Sequence, residues 1–421
     1  MRTYVRLGLL LTVVLALAGG GTPAYAWSYP AALNTNAATD SGNDLEPQVA
    51  TDGAGHWVAV WISTDTLGGT IGGDGDILVA RSTDNGATWT DPAALNTNAA
   101  TDSGGDSGPQ VTTDGAGHWV AVWQSNDTLG GTIGTDMDIL MARSTDNGVT
   151  WTDPAALNTD AATDSGNDNR PQVTSDGGGK WVAIWGSGDV LVARSTDNGA
   201  TWTDPAALNN SGSSRFPQMT TDGAGNWVAV WQSYDSLGGT IGTDPDILVA
   251  RSTDNGATWT DAAALNTNAA TDSEHDEYPQ VTTDGKGNWV AVWMSCVPAS
   301  CSTDTDIQMA WSTDNGATWT DPAALNTNAG ALNWYPQVTT DGWGSWVVVW
   351  TSRDSLGGTI GADWDILYAT EFQAPPVGGL AELPDASDSA GPNYIVLAVL
   401  AAAALGAVGA GGWYARRRRV R

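Results

Sequence analysis

The eight residues Ser82 to Trp89, STDNGATW, return almost letter for letter at Ser144 to Trp151, Ser195 to Trp202, Ser252 to Trp259 and Ser312 to Trp319. A segment that recurs every ~60 residues or so is a unit that stacks on its own copies, and this removes most single-core folds from consideration. Local chemistry says what the unit contains. Asp and Ser oxygens accept backbone N–H groups within a turn, Asn-Gly supplies the positive φ of a tight hairpin, and Thr-Trp opens a strand. Each copy is a self-braced hairpin corner. Its carboxylates, Asp84, Asp146, Asp197, Asp254 and Asp314, read as structural, because an active site occurs once whereas a corner occurs in every repeat.

A second landmark, Pro-Gln-Val or Pro-Gln-Met, begins at Pro47, Pro109, Pro171, Pro217, Pro279 and Pro336, which makes six repeats. Each continues through a Thr/Ser-Asp-Gly turn, a W-V-x-x-W run, a third apolar run such as Ile77 to Ala80, the hairpin corner, and TWTDPAALN. That is four short strands per repeat, the content of one propeller blade. In W-V-A-V-W the two Trp and the Ala share one face and the two Val the other. Neither face is polar, so the strand is buried on both sides and its Trp residues pack blade on blade. The sixth repeat lacks the corner and runs Thr370-Glu371-Phe372 into a Pro/Gly-rich stretch. Trp27 to Asn34, WSYPAALN, matches TWTDPAALN and predicts an N-terminal strand that closes the last blade and removes two exposed edges. The expected fold is all-β, a six-bladed β-propeller over residues 27–371 closed by the N-terminal strand, acting as a monomer.

Residues 1–26, with Arg2, Arg6, an apolar run from Leu7 to Ala18 and Ala24-Tyr25-Ala26, have the layout of a secretory signal peptide. Residues 372–393 form a Pro/Gly/acidic linker in which Leu383-Pro384-Asp385-Ala386-Ser387 resembles a sortase signal. Residues 394–414 are apolar over a length that crosses a bilayer as a helix, and residues 415–421 form a basic, cytoplasmic tail. The expectation is a protein held at the outer face of the membrane. Setting aside the two leader arginines and the five of the tail leaves 9 of the 16 basic residues against 47 acidic ones, a charge of −38 on the exported part. Nucleic acid is excluded as a partner of such a surface. Cys296 and Cys301, the two cysteines, share one loop and predict a local disulfide outside the cell.

The S-x-D-x-G-x-T-W pattern resembles the Asp-box of the sialidase-like, or BNR-repeat, β-propellers. Sialidases of that family clamp a sugar carboxylate with three arginines and attack with a Tyr activated by a Glu. The resemblance implies Arg170, Arg215 and Arg353 as the clamp, Tyr278 or Tyr335 as nucleophile and Glu277 as its partner. The nearest counterpart of the family's Phe/Tyr-Arg-Ile-Pro motif is Arg215-Phe216-Pro217.

Strand order puts the Asp-Gly turns and Asp-boxes on one side of the array. The long loops, typified by residues 125–138 and 96–108, fall on the other side, where ligands are expected. There the third repeat is cut back to Gly186-Ser187-Gly188-Asp189, and residues that break the repeat accumulate: Arg170, Arg215, His275, Glu277, Tyr278, Trp334, Tyr335, Arg353 and Trp364. The leading expectation is recognition of an extracellular carbohydrate or protein ligand, and the alternative is an exo-acting glycoside hydrolase of the sialidase type. No cofactor is required by either reading. Calcium is a candidate, because Asp74 and Asp76, Asp136 and Asp138, Asp244 and Asp246, Asp304 and Asp306, and Asp363 and Asp365 supply the hard oxygens it prefers. Arg81, Arg143, Arg194 and Arg251, beside the box serines, are expected to pair with loop carboxylates.

Overall fold

Every repeat forms one antiparallel sheet with its strands in chain order. The computed structural model describes residues 30–372, except 41, 210–212, 298–300, 327–329 and 362. The leader, Trp27 to Tyr29, the linker with its sortase-like run, the apolar 394–414 stretch and the basic tail lie outside the described residues. Among the described residues no helix is long and apolar enough to cross a membrane.

Blade one comprises Asp44–Thr51, Trp57–Ser63, Asp76–Ser82 and Ala93–Ala94, and blades two to five repeat this arrangement. The first strands of successive blades lie side by side from blade one to blade six. Between blades, the Val face of one W-V-A-V-W strand meets the Trp face of the next. Val58 and Val60 pack on Trp119, Ala121 and Trp123, and Val182 and Ile184 pack on Trp227, Ala229 and Trp231. Trp119, Trp123, Trp181, Trp185, Trp227, Trp231, Trp289 and Trp293 have no measurable exposure. The apolar pattern of these strands thus becomes a series of dry junctions.

The Asp-boxes close their corners as the sequence predicts. In blade four Ser252 Oγ donates to Asp254 Oδ1 (2.8 Å), Gly256 N donates to Ser252 Oγ (2.9 Å), and Thr258 donates from N to Oδ1 (2.9 Å) and from Oγ1 to Oδ2 (2.7 Å) of Asp254. Asn255 sits at φ 61° and Gly256 at φ 76°. The Thr258 hydroxyl, opposed by burial and reinforced by the Thr258 N–H and Ser252 hydroxyl, holds the Asp254 carboxyl down at about 2. Asp254→Ala is expected to lower stability by about 1–2 kcal/mol, at the modest end for charge-assisted bonds because the corner is exposed. The folded-state pKa is depressed, so this contribution is present above the unfolded value of roughly 4 and is lost as pH falls towards about 2. Melts of wild type and variant should converge over that window, and a constant difference across it would show that the charge is not what braces the corner.

The Asp-Gly turns are braced likewise. His56 and His118 Nδ1 lie 2.6 Å from Asp52 and Asp114 Oδ2, and Asn226 and Asn288 Nδ2 donate to Asp222 and Asp284 Oδ2 at the same distance. Those turns reach the Asp-boxes on one side of the array, as in Asn85 N to Gly55 O (3.1 Å), while the long loops meet on the other, as in Gly72 N to Ala99 O (2.8 Å). The arginines beside the box serines need correction. Arg194 Nε donates to Asn255 O (2.7 Å) and Arg251 Nη1 to Asn315 O (3.3 Å), both in the box turn of the next blade. The left-handed Asn turns its carbonyl out to the preceding blade, so a backbone oxygen takes the place of the expected carboxylate.

The expected closure by the N-terminal strand also needs correction. The sixth sheet has three strands, Asn333–Thr340, Ser345–Ser352 and Asp365–Phe372, and Ala31 and Ala32 pair with none of them. The N-terminal segment instead docks on blade one. Leu33 packs beside Trp61 and Leu78, Asn36 Nδ2 donates to Asp65 Oδ2 (2.7 Å), and the Thr35 hydroxyl donates to Asp91. Thr97 makes the same bond to Asp153 one blade on, so the segment sits where a preceding blade's fourth strand would lead. Elsewhere that strand is two residues long, as with Ala93 and Ala94 against Val79 and Leu78. So short a ladder adds little across the seam, against the cost of ordering the chain end. Both lips are exposed: Leu45 and Val49 by 57% and 55%, Ile366 and Tyr368 by 69% and 72%.

Candidate ligand-binding site

All six first strands contain a register shift at the residue that precedes the anchor proline. Glu46, Gly108, Arg170, Phe216, Tyr278 and Tyr335 occupy this place with φ between 53° and 62°. A bulge of this kind re-aims the side chain, and five of the six residues accept a left-handed backbone without being Gly. The bulge residues reach one another from blade to blade. Gly108 N donates to Glu46 Oε2 (3.0 Å). The Arg170 guanidinium lies 3.7 Å over the Phe216 ring, Phe216 and Tyr278 have centroids 4.6 Å apart, and Tyr278 meets Tyr335 edge-on at 5.1 Å.

Beside this row opens a cavity of about 520 Å³ lined by Gln124, Asn169, Arg170, Arg215, Phe216 and Tyr234, with Gly186 and Gly188 at its lip. It exists because blade three has lost its long loop, so that Trp181–Ser187 and Asp189–Ser195 join directly through Gly188. Gln124 Oε1 accepts the Arg170 N–H (2.7 Å) and so fixes the bulge. Burial pulls the Arg170 pKa down and the nearby Arg215 charge adds to this, while Tyr278 and Glu46 oppose it. Two cations that repel each other across one polar cavity form a place for an anion.

Of the other residues singled out from the sequence, Trp334 and Tyr335 extend the aromatic row, with Trp334 at 6.0 Å from Tyr335 and 5.3 Å from Trp364. Arg353 stands over Trp364 at 5.3 Å and does not line the cavity, so two of the three arginines are gathered there and the third lies further along the row. Glu277 is adjacent to Tyr278 in the strand. The Tyr278 hydroxyl is pushed up by burial first, then by the charges of Glu277 and Tyr335. His275 pairs through its backbone with Cys296, which is bonded to Cys301, where the first strand of blade five begins and the second ends. Glu46, Gln124 and Tyr234 were not anticipated, and Phe216 was read only as the middle of Arg215-Phe216-Pro217 and not as a site residue. Glu46 and the role of Phe216 could have been found by reading the column before each anchor proline; Gln124 and Tyr234 carry no such signal.

The candidate calcium ligands fall into two groups. Asp136 and Asp138 are joined by Asp164, Asp244 and Asp246 by Asp272, and Asp74 and Asp76 by Asp102. Asp304 and Asp306, and Asp363 and Asp365, gather no third acid among the described residues.

The fold is an array of six blade-like antiparallel sheets with Asp-box corners in five of them, and in this it is similar to the sialidase-like propellers. No protein-family model matches the chain. One stretch of 109 residues is 37% identical to a sialidase of Paraclostridium sordellii, over 23% of this chain, so the match spans about a quarter (26%) of the curated relative's length. Among solved structures the chain is similar to a leech intramolecular trans-sialidase (12% identity, 82% of this chain and 70% of that chain, TM-score 0.46). It is also similar to the intramolecular trans-sialidase of Ruminococcus gnavus (12%, 80% and 95%, TM-score 0.46) and to a protein of unknown function from Dyadobacter fermentans (15%, 79% and 95%, TM-score 0.47).

Proposed function

We propose that the protein binds a glycan that carries a carboxylate, through Arg170 and Arg215, without cleaving it. The observation that carries this reading is the convergence of two arginines on one polar cavity in a chain of net charge −31. The curated sialidase that matches in sequence supports an acidic sugar as the ligand class. Binding is favoured over hydrolysis because the groups that cleavage would need do not converge on the cavity: Arg353 stands over Trp364, and neither it nor Tyr278, Tyr335 or Glu277 lines the space between Arg170 and Arg215. Export and retention at the cell surface belong to the same reading. They are supported by the leader-like and apolar runs of the sequence and by the Cys296–Cys301 disulfide, a bond that persists in oxidising surroundings.

The test is titration with sialyllactose alongside turnover of a fluorogenic sialoside. Arg215 is exposed, so Arg215→Ala should leave folding intact and weaken binding about 10- to 100-fold, the effect of one charge-assisted contact. Turnover that disappears in Tyr278→Phe would replace this reading by the exo-hydrolase. Failure to bind any acidic glycan on an array would remove both.

A further inference from the structure

Three carboxylate sets stand where the loop between the second and third strands of a blade meets the loop that leads to the next blade. They are Asp74, Asp76 and Asp102; Asp136, Asp138 and Asp164; and Asp244, Asp246 and Asp272. In each set one oxygen from every residue lies within 4.8 Å of the others. That is the spread of oxygens held at roughly 2.3–2.6 Å around a common centre.

A second observation comes from the middle residue of each set. Asp76, Asp138 and Asp246 have no solvent exposure. One oxygen of each is fixed by an Asn amide, Asn96, Asn158 and Asn266 donating to Oδ1 at 2.8 Å. The other, Oδ2, is buried with no hydrogen-bond partner, as are Asp74 Oδ2, Asp102 Oδ1, Asp136 Oδ2, Asp164 Oδ1, Asp244 Oδ2 and Asp272 Oδ1. An ionised oxygen without a donor is costly to bury, and three together repel one another. The ion pairs among the described residues are His56 with Asp52 and His118 with Asp114, so no Lys or Arg neutralises the sets.

We propose that each of the three sets binds one Ca²⁺. All-oxygen ligation from loops, with an amide orienting the buried ligand, suits a large hard cation better than Mg²⁺ or a transition metal. The ion ties the end of one blade's long loop to the entry of the next, which gives these loops a fixed shape despite their many Gly residues. Two other blades act as internal controls. Blade three has lost the long loop, and blade five keeps Asp304 and Asp306 while the chain from Asn326 to Asn333 contains no acid.

The experiment is native mass spectrometry and calorimetric titration of the chelator-treated full chain with CaCl2, with MgCl2 as a separate arm. Three Ca²⁺ equivalents are expected. Asp76→Asn, Asp138→Asn and Asp246→Asn should each remove one, while Asp306→Asn removes none, with circular dichroism confirming that every variant is folded. No uptake at millimolar CaCl2, or three equivalents retained in the single variants, overturns the proposal. Tighter binding of Mg²⁺ at the same sites overturns the choice of calcium.

Discussion

Trp227→Ala should lower the stability of the array by about 3–5 kcal/mol, the range for deleting a fully buried Trp. Trp227 has no exposure and belongs to one buried cluster with Val182, Ile184, Val192 and Leu208 of the blade before it. The chain supplies its own control, because Trp57 holds the same place in blade one, where among the described residues no preceding blade packs on it, and is half-buried. Trp57→Ala is expected to cost about 1–2 kcal/mol, the transfer of a partly covered ring without a cavity left between sheets. Urea melts of the two variants read the seam as well as the core. Equal losses would mean that blade six covers blade one in solution.

The second large effect comes from adding a single methyl group. Gly256 is at φ 76°, and a Cβ there would lie 2.5 Å from Val182 Cγ2 of the neighbouring blade. Gly256→Ala therefore combines left-handed strain of about 1–2 kcal/mol with overpacking of about 1–3 kcal/mol. Gly86, at φ 79°, is its counterpart in blade one, but a Cβ there meets nothing nearer than Trp89 Cζ2 at 3.9 Å. Gly86→Ala should carry the strain alone. Thermal melts in which both substitutions cost the same would show that overpacking at the junction is absent.

The blades were legible because their determinants are local. Alternation in W-V-A-V-W fixes which residues face the next blade, and Asn-Gly after Asp fixes the corner, so neither needs distant contacts to be read. The seam was not legible for the converse reason. Matching Trp27 to Asn34 with TWTDPAALN identifies a segment able to be a fourth strand, but whether it pairs depends on two lips some 330 residues apart in sequence, a long-range balance that no motif encodes. The site was half legible. Arg170, Arg215, Tyr278 and Tyr335 stood out as departures from the repeat. Their common origin stayed hidden, because Glu46, Gly108, Arg170, Phe216, Tyr278 and Tyr335 share a backbone conformation and no chemistry.

The six bulges before the anchor prolines have a consequence for how such an array acquires new partners. The main chain, held by the proline and the ladder on either side, sets the direction of each bulge residue, so a negatively charged, a positively charged, an aromatic and a bare position coexist at equivalent places. Mutation can therefore rewrite this row of sockets one codon at a time while the scaffold that holds it stays the same.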